Sequence, residues 1–299
     1  MCGIVGLYLK DATLEDRFGA LLGGMLGMLS DRGPDSAGFA VYGAGRPGRV
    51  KLSLRGPAGC DFDALARSVG AAAGGSADIR RHGTHAVMTV DESAAAAIEA
   101  RIAAGIPDVS VVGKGRRMEV FKEIGRPETV ASSFGLDRMV GTHGIGHTRM
   151  ATESAVTTAG AHPYSTGPDQ CLVHNGSLSN HNAVRRELAH DGVRFATEND
   201  TEVAAGYLTS RMRRGDSLGG ALSNALRDLD GFYTFVVGTE SGFGVLRDGI
   251  ACKPAVMVET DRYVAFGSEY RALADLPGVE SGRVWEPEPA KPYFWERAA

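Results

Sequence analysis

Met1-Cys2-Gly3-Ile4-Val5-Gly6-Leu7-Tyr8-Leu9 opens the chain. A short apolar run with Ile, Val and Tyr predicts a buried strand over 3–9, with a cysteine immediately before it. Loss of the initiator methionine before so small a residue would leave Cys2 with a free α-amine. Such amines titrate near ~8, so much of the group is neutral near physiological pH and can accept a proton. A thiol beside it is a nucleophile whose base belongs to the same residue. The plainer reading is a small side chain in a buried strand, and position two by itself favours that.

Outward from this strand, Leu14, Phe18, Leu21, Leu22, Met25, Leu26 and Leu29 recur at helical spacing and predict a helix over 14–29. Asp31-Arg32-Gly33-Pro34-Asp35-Ser36 is turn-rich and leads into a strand over 37–42. Residues 61–139 are dense in Ala and Gly. Helical patterns at 61–69 and 93–104 alternate there with strand-like 84–90, 109–112 and 117–121, and the segment reads as an inserted α/β subdomain. Strands are expected again near 142–147 and 170–174. Helices follow near 180–190, 201–213 and 216–228. Strand-like 232–237, 244–246, 255–258 and 263–266 come last, with a short helix at 269–274.

Composition excludes several classes. Of 299 residues, 43% are hydrophobic, enough for a substantial core. The net charge of −4, with both signs dispersed, gives no footprint for nucleic acid or an anionic membrane. No run approaches the ~18 apolar residues of a membrane span, and the N-terminus lacks a basic leader, so the expected compartment is the cytoplasm. Cys2, Cys60, Cys171 and Cys252 are scattered without a CxxC pair, which argues against a metal ribbon or a disulfide framework. The last three read as small core side chains. His143 and His147 have a helical ligand spacing, but Gly144 and Gly146 disfavour a helix, and no metal is expected.

Three downstream stretches carry chemistry. Gly146-His147-Thr148-Arg149-Met150-Ala151-Thr152 puts an arginine at a strand end, where its planar fork can hold a carboxylate, although a surface salt bridge is the commoner fate of a lone arginine. His174-Asn175-Gly176 follows a strand; an Asn amide and a glycine N–H can converge on one oxyanion, although Asn-Gly is also a common turn pair. Glu198-Asn199-Asp200-Thr201-Glu202 precedes a helix, where Asp200 could cap it or hold a substrate ammonium.

With Asp31 to Gly38 and Ala161-His162-Pro163, these stretches occur in an order that resembles the class II glutamine amidotransferase domain, a branch of the N-terminal-nucleophile (Ntn) hydrolases. The resemblance covers residues 1–42 and 141–275. It implies an α+β fold, a four-layer α/β/β/α sandwich of two antiparallel sheets, with the chain forming a single domain over 1–299. It implies that Cys2 attacks the side-chain amide of L-glutamine, with Asn175 and Gly176 as the oxyanion hole. Arg149 would hold the α-carboxylate, Asp200 the α-ammonium, and His162 would lie nearby. Arg32 would support the N-terminal pocket.

After residue 275 there is no sequence resembling an isomerase, phosphoribosyl-binding or synthetase domain, so ammonia would need an acceptor on another polypeptide. In its long insertion the chain resembles the amidotransferase subunit of glutamate-synthase-like complexes, such as that of N-methylglutamate synthase. That resemblance implies synthase subunits as partners, with FMN and an iron–sulfur cluster on a partner and no cofactor in this chain. The alternative is a catalytically silent structural subunit of such a complex with Met1 retained, because an acylated Cys2 nitrogen is no base.

Overall fold

The computed structural model describes residues 2–73, 77–106, 108–151 and 155–297. Met1 and Thr152 lie outside them.

The first sheet has seven antiparallel strands. At its centre are β1 (Gly3–Leu9), β8 (His143–Arg149) and β2 (Ser36–Tyr42), with β7 (Met118–Ile124) beyond. On the other side of β1 come β14 (Tyr263–Gly267), β13 (Val256–Glu259) and β15 (Arg283–Trp285). The second sheet runs β16 (Tyr293–Glu296), β12 (Gly242–Arg247), β11 (Gly231–Gly238), β10 (Gln170–Leu178) and β9 (Tyr164–Gly167).

β1 and β2 are buried on both faces and read as nearly continuous apolar runs, and the two-residue alternation divides the side chains of β1 between layers. Ile4 and Tyr8 of β1 meet Val173, Val236, Phe243 and Val245 of the second sheet. Val5, Leu7 and Leu9 face the other way, against Phe18, Leu22 and Leu26 of α1 (Phe18–Gly27) and near α4 (Pro127–Phe134). The outer face of the second sheet packs Leu172, Phe235 and Leu246 against α5 (His181–His190), α6 (Asp200–Arg213) and α7 (Leu218–Asp228). The layers are therefore α/β/β/α, as expected. No helix among the described residues is long and apolar enough to cross a membrane.

The third sheet differs from the sequence reading in its limits. It comprises β4 (Ala77–His82), β5 (His85–Asp91), β3 (Arg49–Arg55) and β6 (Ser110–Gly115), with α2 (Phe62–Ala73) and α3 (Glu92–Gly105) packed on it. It thus begins at 49 rather than 61. Within 118–139, β7 pairs with β2 and α4 packs on the first sheet's helical layer, because Phe121, Val130 and Phe134 belong to that core. Residues 14–29 are also split: a 3-10 turn over Ala12–Arg17, capped by Asp11, precedes α1. Of the three cysteines read as core, only Cys171 is buried. Cys60 is half-buried, and Cys252 is exposed in a polar turn.

Candidate active site

The first sheet brings two chain segments together. Gly3 pairs with Thr148 across β1 and β8, so Cys2, one residue before β1, lies beside Arg149, the last residue of β8. The Asp31–Ser36 turn clamps this corner. Asp35 N donates to Arg149 O (3.1 Å), and Ala151 N donates to Asp35 Oδ2 (2.8 Å). A Cβ on Gly33 would lie 2.4 Å from the Thr148 carbonyl carbon, so only glycine permits the approach.

The second sheet supplies the opposite wall. His174, Asn175 and Gly176 lie within β10 and not in a turn after it: β10 runs on to Leu178, paired with β11 throughout. Tyr233, opposite Gly176, commits both backbone groups to Asp248, its N–H to Oδ1 and its carbonyl to the N–H, each at 3.0 Å. Gly176 therefore turns its N–H to the far edge of β10. On that edge His174 N donates to His162 Nδ1 (3.4 Å) and Leu178 N to Asp200 Oδ2 (2.9 Å). Gly176 lies between them, on the pocket wall. Its φ of +146°, with Phe232 O 2.0 Å from where a Cβ would be, demands glycine.

Six of the seven expected residues, Cys2, Arg149, His162, Asn175, Gly176 and Asp200, line one pocket of about 280 Å³. Arg32, the seventh, is buried behind it. Arg32 Nε donates to Cys2 O (3.0 Å), and its guanidinium forms an ion pair with Glu269. Asn175 Nδ2 donates to the same carbonyl (3.2 Å), which leaves its second N–H for another acceptor. Cys2 Sγ lies 3.8 Å from Met150 O.

Asp200 does not cap its helix. Asn199 does, accepting from Thr201 N (2.8 Å), while Glu202 takes the N–H groups of Ala196 and Thr197. That leaves the Asp200 carboxylate aimed at the pocket. Burial alone would raise its pKa, but His174, 3.7 Å away, and the Leu178 N–H outweigh burial and hold it at about 2. The carboxylate is ionised at any physiological pH.

Two imidazoles are held neutral beneath the pocket. His147 and His162 stack at 4.0 Å, and burial, with added repulsion from nearby positive groups, pushes His147 down to about 3 and His162 well below its usual range. His147 Nε2 meets His174 O of β10 (3.1 Å) and His143 Nε2 meets Thr239 O in the turn after β11 (2.7 Å), so both rings tie the first sheet to the second. Lys122 Nζ donates to Ala161 O (2.8 Å) under the His162 loop, and burial draws that lysine down to about 8.

Sequence reasoning gave no role to His174, Asn199 or Thr201, although they stood inside the quoted motifs. Lys253 and Glu269 carried no functional signal: each arrives from a segment distant in sequence.

Comparison with known proteins bears on the same residues. A glutamine amidotransferase domain model matches residues 147–275. The chain is 60% identical over 297 residues to the glutamine amidotransferase-like protein GlxB of Rhizobium meliloti, covering 99% of this chain and 98% of that one. It is 32% identical to a candidate glutamine amidotransferase of Methanothermobacter thermautotrophicus, over 99% and 100% of the two chains. Among solved structures, glutamine phosphoribosylpyrophosphate amidotransferase from B. subtilis aligns over 99% of this chain and 47% of its own, with a TM-score of 0.63. At 19% identity, that likeness speaks to the fold alone. Given a relative this similar from end to end and an Ntn-type sandwich, the chain belongs to the class II glutamine amidotransferases.

Proposed function

We propose that this chain hydrolyses the side-chain amide of L-glutamine through a thioester on Cys2 and delivers the ammonia to a partner. One observation carries the reading: a nucleophile, an amide donor, a glycine N–H, an arginine and an ionised aspartate line a single pocket of amino-acid size. Arg149 holds the α-carboxylate and Asp200 the α-ammonium, which fixes the side-chain amide against Cys2.

With Met1 removed, the α-amine of Cys2 takes the thiol proton, through a water if the geometry within one residue is too tight. Sulfur then attacks the amide carbon. Asn175 and the Gly176 N–H receive the oxyanion. Collapse of the tetrahedral adduct breaks the C–N bond, and the α-ammonium returns its proton to the departing nitrogen as ammonia leaves. Water, deprotonated by the same amine, cleaves the thioester to glutamate and restores the thiol. Arg32 orients the Cys2 carbonyl, and His162 shapes the pocket floor.

The finer reading, resting on sequence resemblance, is a cytoplasmic complex of the glutamate synthase or N-methylglutamate synthase type. Synthase subunits there would carry the acceptor site, FMN and an iron–sulfur cluster. Two experiments test these layers. Glutamate release from L-glutamine by the purified chain tests the first; a chain with Met1 removed and no turnover, alone or with its partners, would overturn it. Isolation of the native complex tests the second, and a colourless assembly would remove the flavin-bearing partner.

A further inference from the structure

The pocket holds one more charge than glutamine requires. In the reading above, Arg149 answers the carboxylate and Asp200 the ammonium. Lys253 also lines the pocket and, among the described residues, makes no ion pair; its ammonium lies 5.0 Å from the centroid of the Phe232 ring. Phe232 is the residue whose carbonyl abuts Gly176. Lys253 therefore shares the pocket with Cys2, Asn175 and Gly176, and Phe232 lies beside both the lysine and Gly176.

The turn that carries Lys253 is tightly built. Arg247, buried at the end of β12, donates to Lys253 O (2.8 Å), Ala251 O (2.6 Å) and Pro287 O (3.0 Å). Asp248, also buried, accepts from Ile250 N (2.7 Å) and Ala251 N (3.3 Å) while holding Tyr233 N. Ile250 and Cys252 point to solvent. Two consecutive buried charges thus brace one turn, and Lys253 is its residue on the pocket wall. A lysine merely solvated at a rim needs no such frame.

We propose that Lys253 is a further functional residue of this pocket, its ammonium offsetting the negative charge that develops on the Cys2 sulfur and then on the tetrahedral oxyanion. The proposal rests on the glutaminase reading. Glutamine is neutral overall and its two end charges already have partners, so the negative charge left for this lysine is the one on the Cys2 sulfur and on the oxyanion. It should act on turnover more than on binding.

The test compares Lys253→Met and Lys253→Arg with the unaltered chain by kcat and KM for L-glutamine. It also follows the pH dependence of Cys2 alkylation by iodoacetamide, read by mass spectrometry of the N-terminal peptide so that exposed Cys252 is counted separately. Lys253→Met should lower kcat about tenfold, the size expected for one charge several ångströms away in a partly solvated site, with KM changed less than about twofold. Its alkylation profile should move toward alkaline pH, and Lys253→Arg should recover most of both effects. A raised KM at unchanged kcat would overturn the proposal, as would unchanged kinetics. Should the unaltered chain fail to turn over glutamine, the alkylation profiles still decide. A shift in Lys253→Met upholds the lysine's role while the glutaminase reading falls, and coincident profiles overturn it.

Discussion

The two-sheet sandwich and the third sheet use the same strand alternation but bury different chemistry. Around β1, β8 and β10 the buried set includes Arg32, His147, Arg149, His162, His174, Asn175 and Glu202, and their polar groups mostly meet one another, backbone groups or the pocket. The third sheet closes on Val50, Leu52, Leu54, Met88, Val90, Ile98 and Ile102. Among the described residues of 49–115, Ser53 and His85 are the buried polar ones, and both face the sandwich: Ser53 Oγ accepts from Val120 N (2.9 Å), and His85 packs on Phe134. Buried polar groups are costly unless satisfied, so they are kept where they position something. The third sheet has no such demand and is held by apolar burial.

The sharpest break in that contrast is at Cys2. Cys2→Ala should abolish glutaminase activity while leaving the thermal midpoint within about 2 °C, because the side chain is small and half-buried. Turnover equal to the unaltered chain would remove Cys2 as nucleophile. Intact mass of native protein bears on the same point: loss of one methionine is expected, whereas retained Met1 on most molecules would favour a silent subunit.

Next in size is Asn175→Ala, expected to lower kcat by ~10²–10³-fold with little change in KM, as for one lost oxyanion donor. Asn175 also holds the Cys2 carbonyl, so a matching rise in KM would mean that it positions the N-terminus and not the oxyanion. Arg149→Lys keeps the charge and loses the fork. It should raise KM roughly 10- to 100-fold, the equivalent of ~1.5–3 kcal/mol for charge-assisted hydrogen bonds, with kcat nearly unchanged. A fall in kcat at constant KM would place the arginine in the chemistry.

The same contrast explains what could be read in advance. Cys2, Arg149, Asn175, Gly176 and Asp200 each stand in a short stretch whose residue types already suggest a role. Lys253 and Glu269 reach the site only through tertiary folding, and their neighbours in sequence carry no chemical motif. Asn175-Gly176 reads locally as a turn, but pairing with β11 overrides that preference and keeps the strand going to Leu178. The opposite failure occurred at β3. Arg49-Val50-Lys51-Leu52-Ser53-Leu54-Arg55 alternates plainly, yet an insertion placed by Ala and Gly density starts too late, because composition shifts at the helices and not at the strand that anchors them.

The mildest expected effect on catalysis comes from the third sheet itself. Leu52 is fully buried in the centre of β3, between β5 and β6. Leu52→Ala should cost ~2–5 kcal/mol of stability, the range for a leucine truncated in a packed core. Under conditions where the protein stays folded, kcat and KM for glutamine should each remain within about twofold, since no described residue of 49–115 lines the pocket. Denaturant unfolding and steady-state kinetics on one preparation measure both. If kcat fell in step with stability, the two regions would not be independent. Coupling would then have to pass through the contacts between them, where β6 approaches β7 and β9 and where Ser53 holds Val120. Ser53→Ala, which removes that hydrogen bond and leaves the Leu52 packing in place, would then reproduce the loss of turnover at a much smaller cost in stability.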